Sequence, residues 1–354
     1  MCLDVSTAPK DGGKQFVRVK EITEHFPGLK TFVFEADGVR TAALAPARAG
    51  NYIAVTARVG ESRVTRAYTL ASSPLETSRD GIYISTIKKA GILSGYLLDE
   101  AKVGDVLEVS RPDGKFVYDD ATDCAHIAGV AGGAGITSLL SMAKAACEGS
   151  EKYTMTLFYC VQNAYELLFK EVLDKMDASK VKVVYVVEND APEGAEKGVF
   201  TAELVRKYMG ETPFTLFACG GDALYSYLSR ELSTCKSLKN MKFSSNSVTD
   251  RATDGEQSFM LCVELGGRNY SVPCRRNETV MVAMERAGLA ALSQCRVGEC
   301  GFCRSIVKDG AYYVDHAHDR RSADDVARNI IHPCSTYPES DMEIVAPIDP
   351  AEEI

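Results

Sequence analysis

The stretch Cys295-Arg296-Val297-Gly298-Glu299-Cys300-Gly301-Phe302-Cys303, completed far downstream by Cys334, decides the architecture of the C-terminal part of this chain. Three thiols spaced C-x4-C-x2-C with a distant fourth form the ligand pattern of a plant-type [2Fe–2S] cluster. One tight loop reaches both irons while a remote segment closes the cage. Gly298 and Gly301 stand between the ligands, where backbone amides must turn toward sulfur with no Cβ in the way. The competing reading is structural zinc, which also takes four thiolates but favours paired C-x2-C knuckles; one such pair, Cys300 and Cys303, is present in this stretch. The spacing therefore assigns Cys295, Cys300, Cys303 and Cys334 as metal ligands.

The flanks extend the reading. Strand-like runs at 259–264 and 268–272 are joined through Gly266-Gly267 as a hairpin, a helical run at 278–287 is ended by Gly288, and strands follow at 306–310 and 342–345. This order, with the cysteine loop and Arg304 after it, resembles the ferredoxin-like β-grasp family. The resemblance implies an electron-transfer module from about Gln257 onward. A cluster of this kind carries one electron at a time, so the upstream chain is expected to supply single electrons.

Length and composition set the outer limits. At 354 residues, two or three domains have room for their own cores. A hydrophobic content of 45% and a charged content of 25% are ordinary for a globular protein. The net charge of -9, without a run of lysine and arginine, argues against nucleic acid as a partner. No basic, apolar leader opens the chain and no apolar run is long enough to span a bilayer, so a cytoplasmic location is expected. Of the 12 cysteines, those outside the cluster motif lie scattered in apolar segments and read as buried free thiols.

From 15 to about 118 short strands follow one another, at 16–20, 31–34, 52–55, 82–87 and 106–109, broken by glycine, proline and acidic turns. Many short strands without long helices predict a small antiparallel barrel. Within it lies Arg66-Ala67-Tyr68-Thr69-Leu70-Ala71-Ser72. This segment resembles the flavin-domain motif Arg-x-Tyr-Ser/Thr-x-x-Ser of the ferredoxin–NADP reductase superfamily. By that resemblance Arg66 binds a cofactor phosphate, Tyr68 packs on the isoalloxazine ring and the Thr69 hydroxyl bonds near flavin N5. A guanidinium fork suits phosphate and an aromatic face suits a flat cofactor. The run Ile87-Lys88-Lys89-Ala90-Gly91-Ile92-Leu93-Ser94 places a glycine turn and a serine at the start of a short helix, where free amides can hold a diphosphate. Its plainer reading is a strand-to-helix turn with Ser94 as N-cap. The turn matches that of FAD enzymes of the superfamily, and reductases of the phthalate dioxygenase type use FMN with a similar turn, so FAD is expected with FMN as the alternative.

After Asp119 the pattern changes to alternating strands and helices, the signature of a parallel sheet with crossovers. Strands are expected at 126–130, 154–160, 181–187 and 214–218, and helices at 137–147, 163–176, 201–208 and 222–232. The turn Ala131-Gly132-Gly133-Ala134-Gly135-Ile136-Thr137 joins the first strand to its helix, and a glycine-rich turn of this kind brings backbone amides to a diphosphate. It is similar to the superfamily's Ala-Gly-Gly-x-Gly-Ile-Thr-Pro, with Ser138 in place of proline. The segment Cys219-Gly220-Gly221-Asp222 resembles the family's Cys-Gly-Pro, whose cysteine lies beside the nicotinamide as hydride passes to flavin. Cys219 and Thr69 are thus the expected catalytic residues. Gly133 to Thr137, Cys219, Gly220 and Asp222 join the cofactor-binding set. Val161-Gln162-Asn163-Ala164 stands where NADPH enzymes place an arginine, which favours NADH with Gln162 or Asn163 as the ribose contact.

The fold class expected is multidomain: a flavin-binding antiparallel β-barrel (1–118), a parallel-sheet α/β nicotinamide domain (119–243), a polar linker (244–257) and a β-grasp ferredoxin domain (258–354). Near the linker, Asn246 and Val248 occupy places where relatives carry a glutamate and an aromatic residue. The resemblance implies an NADH:acceptor oxidoreductase that sends electrons through flavin and cluster to an oxygenase or other terminal metalloenzyme. The alternatives are a reductase of a hybrid-cluster protein and a non-catalytic relay subunit of a larger dehydrogenase.

Overall fold

The structure is a computed structural model that describes residues 13–244, 257–315 and 319–347. The expected linker residues Asn246 and Val248, the histidines at 316 and 318 and the tail from 349 lie outside the described residues.

The first sheet has six antiparallel strands in the order Ser62–Thr69, Tyr52–Val59, Val106–Val109, Gln15–Phe26, Leu29–Ala36, Ile82–Lys88. Alternation along the strands turns Val17, Val19, Phe32, Phe34, Ile53 and Val55 into one core. The sheet curls until its edges meet, with the Ala71 amide donating to Ile84 O at 2.7 Å and Ser85 Oγ to Thr69 O at 3.1 Å. Two helices, Pro74–Asp80 and Ile92–Asp99, complete the unit. Ser73 caps the first and reaches Glu76 in a reciprocal capping box.

The second sheet is parallel, in the order Glu196–Lys197, Val181–Val187, Thr154–Val161, His126–Gly132, Phe214–Cys219, Leu238–Phe243. Its central strand is apolar on both faces, Ile127 and Ala131 packing on one side and Ala128 and Val130 on the other, as a sheet sandwiched between helices requires. The chain reverses direction of progression between His126–Gly132 and Phe214–Cys219. That switch point is where open α/β sheets bind ligands.

The expected helix at 163–176 does not form. A 3-10 turn at Ala164–Glu166 and a single helical turn at Lys170–Leu173 replace it, separated by Phe169 at φ 57°. The buried Tyr159 hydroxyl intercepts the backbone there, donating to Glu166 O and accepting from the Leu168 amide, both at 3.0 Å. The edge strand Leu238–Phe243 escaped the sequence reading because its outward positions are lysine and asparagine.

The third sheet has the order Arg268–Arg275, Ser258–Leu265, Met342–Ala346, Ser305–Asp309, Ile330–Ile331. The helix Val280–Arg286 packs across it, capped by Thr279, whose side chain accepts from the Val282 amide. Val280, Ala283 and Met284 enter the sheet's core, which leaves Met281 and Glu285 on the flank that meets the first sheet and the cysteine loop.

Candidate active site

The four expected metal ligands converge. Cys303 Sγ lies 3.4 Å from Cys334 Sγ, and Cys295 Sγ accepts from the amides of Val297 at 3.5 Å and Cys300 at 3.4 Å. Cys295, Cys303 and Cys334 are buried and Cys300 is half-buried. Hydrogen bonds from Cys300 and Cys334, with the two amides, hold the Cys295 thiol far below its ordinary value. The same sulfur contacts push Cys300 and Cys334 up. Among the described residues no three His, Cys, Asp or Glu side chains are arranged to hold one metal ion. The donor set, three thiols of one loop gathered with Cys334, fits a [2Fe–2S] cluster. Arg296, at φ 66°, and the positive-φ Gly298 and Gly301 wrap the loop around the sulfurs. The buried His332 fastens it by donating from Nδ1 to Gly298 O at 2.6 Å.

Cys295 opens onto a small cleft that it shares with Tyr52, Thr69, Phe116 and Ser244. The cleft therefore brings the barrel motif, the end of the parallel sheet and the cluster loop to one place. Thr69 Oγ1 is 2.7 Å from Thr137 Oγ1, which joins the barrel to the glycine-rich turn. That turn packs on Cys219: a Cβ added at Gly135 would fall 2.0 Å from Cys219 O. Gly220 donates its amide to the Tyr225 hydroxyl at 3.1 Å, and Asp222 begins the helix Asp222–Glu231. Burial pushes the Cys219 thiol up against hydrogen bonds with Ser138 and Ser244. Ser138, where the resembling motif has proline, thus partners the thiol.

A second cleft of about 260 Å³ lies between Lys88 of the barrel and Gly133 and Ala134 of the turn, with Tyr165 and Glu166 on its wall. Gln162 is exposed at the end of Thr154–Val161. Beside it Asn163 donates to Glu166 Oε1 at 2.9 Å and accepts from Asn189 at 3.0 Å, with Asp190 Oδ1 on the Ala164 amide at 2.7 Å. This corner carries carboxylates, which suit a free ribose hydroxyl and repel an added phosphate.

Other expected residues are committed differently. Arg66 donates to Glu285 of the third sheet's helix at 3.0 and 3.1 Å. Tyr68 packs on the barrel core, where burial raises its phenol. Ser72 is buried, its Oγ accepting from the Ile84 amide and its carbonyl from Ser141. Ile87, Leu93 and Ile136 put their side chains in cores, leaving backbone atoms for a cofactor. Ser94 is not the N-cap. Gly91 takes that place, and Ser94 Oγ accepts from the amides of Ala90 and Gly91 at 2.9 Å, so these two are not free in this structure. Arg304 and Arg321, cations that the sequence offers for docking an acceptor, pair with Asp325 and, at 2.8 Å, with Asp319.

Sequence reasoning missed Glu285, Arg296, His332 and Tyr52. Glu285 left one signal, a carboxylate four residues after Met281 on a helix whose other residues before Arg286 are apolar.

Three family descriptions match the chain in succession: an oxidoreductase FAD-binding domain over 17–118, an oxidoreductase NAD-binding domain over 130–230 and a 2Fe-2S iron-sulfur cluster binding domain over 263–339. The chain is 26% identical to NADH oxidoreductase HCR of Escherichia coli, over 84% of this chain and 88% of the relative. It is 28% identical to the ferredoxin reductase component of 3-ketosteroid-9-alpha-monooxygenase of Mycobacterium tuberculosis, over 92% and 93%. The solved structure of phthalate dioxygenase reductase superposes with a TM-score of 0.66 at 21% identity, over 95% of this chain and 98% of that one, which establishes the fold. Among the described residues no helix is long and apolar enough to cross a membrane.

Proposed function

Because this chain belongs to the ferredoxin–NADP reductase superfamily, in the branch with a C-terminal plant-type [2Fe–2S] domain, we propose that it is an NADH-dependent reductase that delivers single electrons to a partner oxygenase or other terminal metalloenzyme. The observation that carries this reading is the shared cleft, lined by Thr69 of the barrel, Ser244 at the end of the parallel sheet and Cys295 of the cluster loop. When bound, NADH supplies a hydride, the flavin divides the electron pair and the cluster passes electrons on singly.

The chain's own residues then have defined work. Arg66, Tyr68, Thr69 and Ser72, with the segment Ile87 to Ser94, hold FAD. The glycine-rich turn from Gly133 to Thr137, with Gly220 and Asp222, holds the NADH diphosphate. Cys219 and Thr69 flank the point of hydride transfer, supported by the Thr69–Thr137 contact and the packing of Gly135 on Cys219. Gln162 and the carboxylates near it favour NADH over NADPH. Cys295, Cys300, Cys303 and Cys334 ligate the irons. The units span 1–118, 119–243 and 258–354 about a 244–257 linker. A cytoplasmic location is supported by the free thiols of the described cysteines outside the cluster motif.

NADH oxidation by the isolated chain with cytochrome c as acceptor tests the reading, with flavin extracted and weighed from the same preparation. Steady turnover by a yellow-brown protein is expected. A chain that holds flavin and cluster yet leaves NADH untouched would instead be a relay subunit.

A further inference from the structure

Two arginines from different units share one carboxylate. Arg66 Nη1 of the barrel donates to Oε2 and Oε1 of Glu285 at 3.0 and 3.1 Å, and Arg296 Nη2 of the cluster loop donates to Oε2 at 3.1 Å. The Thr65 amide adds a fourth bond, to Oε1 at 3.2 Å. Glu285 and Arg296 are almost fully buried, whereas a quarter of the Arg66 side chain remains exposed.

The charges do not cancel. Two guanidiniums on one carboxylate leave a net positive charge, and its accessible end is Arg66. Were Arg66 alone on Glu285, the pair would be neutral, and an incoming phosphate would meet a carboxylate some 3 Å from its own arginine. Like charges at that range repel strongly where water is scarce. Arg296 alters the balance, because it already offsets Glu285 from the buried side. The cost of desolvating Arg66 and its proximity to Arg296 press the Arg66 pKa down, outweighing Glu285, as expected for a cation still short of an anion.

We propose that Arg296, a residue of the cluster-carrying loop, sets the flavin affinity of the barrel by neutralising Glu285, so that Arg66 keeps its charge for the cofactor's phosphate. Arg296 is a positioning residue in this scheme and touches no cofactor phosphate itself. The consequence is coupling: a change in the cluster loop that withdraws Arg296 while Glu285 stays on Arg66 loosens the barrel's hold on flavin. This inference rests on the reading of Arg66 as a flavin-phosphate residue.

The test measures the flavin dissociation constant of the full-length holoenzyme by ultrafiltration, with the cluster monitored by its paramagnetic signal on reduction. Arg296→Gln is expected to weaken flavin binding at least tenfold while the cluster signal persists. Arg296→Gln with Glu285→Gln is expected to return affinity to within about threefold of the parent, a rescue that loss of packing would not give. Unchanged affinity in the single variant, or a double variant as weak as the single one, overturns the proposal. If Arg296→Gln fails to assemble a cluster, Glu285→Gln alone decides: affinity equal to or above the parent supports the proposal, and a tenfold loss overturns it. A parent protein holding neither FAD nor FMN would overturn the flavin reading itself, a result distinct from flavin bound with no dependence on Arg296.

Discussion

Thr69 Oγ1 lies 2.7 Å from Thr137 Oγ1, so a hydroxyl of the barrel motif touches a hydroxyl of the glycine-rich turn across the boundary between two sheets. Each side chain belongs to a motif with its own expected cofactor, and their contact joins the two motifs. Thr69→Ala should slow flavin reduction by NADH roughly tenfold to a hundredfold, the cost of removing one aimed hydroxyl. Thr69→Ser should recover most of the rate. Stopped-flow absorbance at the flavin band reads both, and an unchanged rate in Thr69→Ala would remove Thr69 from the catalytic pair.

The close approach of the glycine-rich turn to Cys219 makes Gly135 intolerant of any side chain. In Gly135→Ala the new Cβ would sit 2.0 Å from Cys219 O, so backbone must move. Overpacking of this kind costs about 1–3 kcal/mol. NADH affinity should fall about tenfold, and the melting temperature should drop by roughly 2–8 °C. A calorimetric scan and an NADH titration check these independently.

Cys303 faces Cys334 at 3.4 Å inside the sulfur cage. Cys303→Ala should abolish the paramagnetic signal seen on reduction and cut cytochrome c reduction by at least about twentyfold, because an open ligand position leaves the cluster unheld. Ferricyanide reduction, which can draw on the flavin directly, should stay within about threefold of the parent. Equal losses with both acceptors would show that the cluster is not the exit for electrons.

Glu166 and Asp190 hold the loop beside Gln162, so a nucleotide's ribose seated there would meet carboxylates that disfavour a phosphate. Gln162→Arg places a cation at the exposed strand end. The ratio of kcat/KM for NADH to that for NADPH should fall about tenfold. Steady-state kinetics with the two nucleotides decide it, and an unmoved ratio would put the ribose elsewhere.

Alkaline pH should destabilise the fold through two thiols outside the cluster. Burial pushes both Cys160 and Cys274 up to about 12. In the unfolded chain a thiol ionises near 8.5. Below that value both states keep the proton and stability is intact. Between about 9 and 12 the unfolded chain releases protons that the folded chain retains, so stability falls as pH rises. Urea denaturation at pH 7, 9 and 10.5 should show the decline, and Cys160→Ala with Cys274→Ala should flatten it.

Much of this protein was settled by local spacing. A plant-type cluster needs cysteines at set intervals in one loop, and a diphosphate needs glycines at a strand-to-helix turn, so Cys295 to Cys303 and Gly132 to Thr137 announce themselves in one dimension. The alternating strands of the barrel and the apolar strands of the parallel sheet are legible for the same reason, because burial on one face or two writes a period into the chain. Tertiary contact decided the rest. Tyr159 captured the backbone of 163–176 and broke a helix that periodicity favoured, and Ser94 turned inward to the amides of Ala90 and Gly91. The bond from Arg66 to Glu285 spans 219 positions of sequence, and Arg296 completes it from a third segment. Charge balance among side chains so far apart depends on which surfaces the folded units present to one another, and no local pattern encodes that.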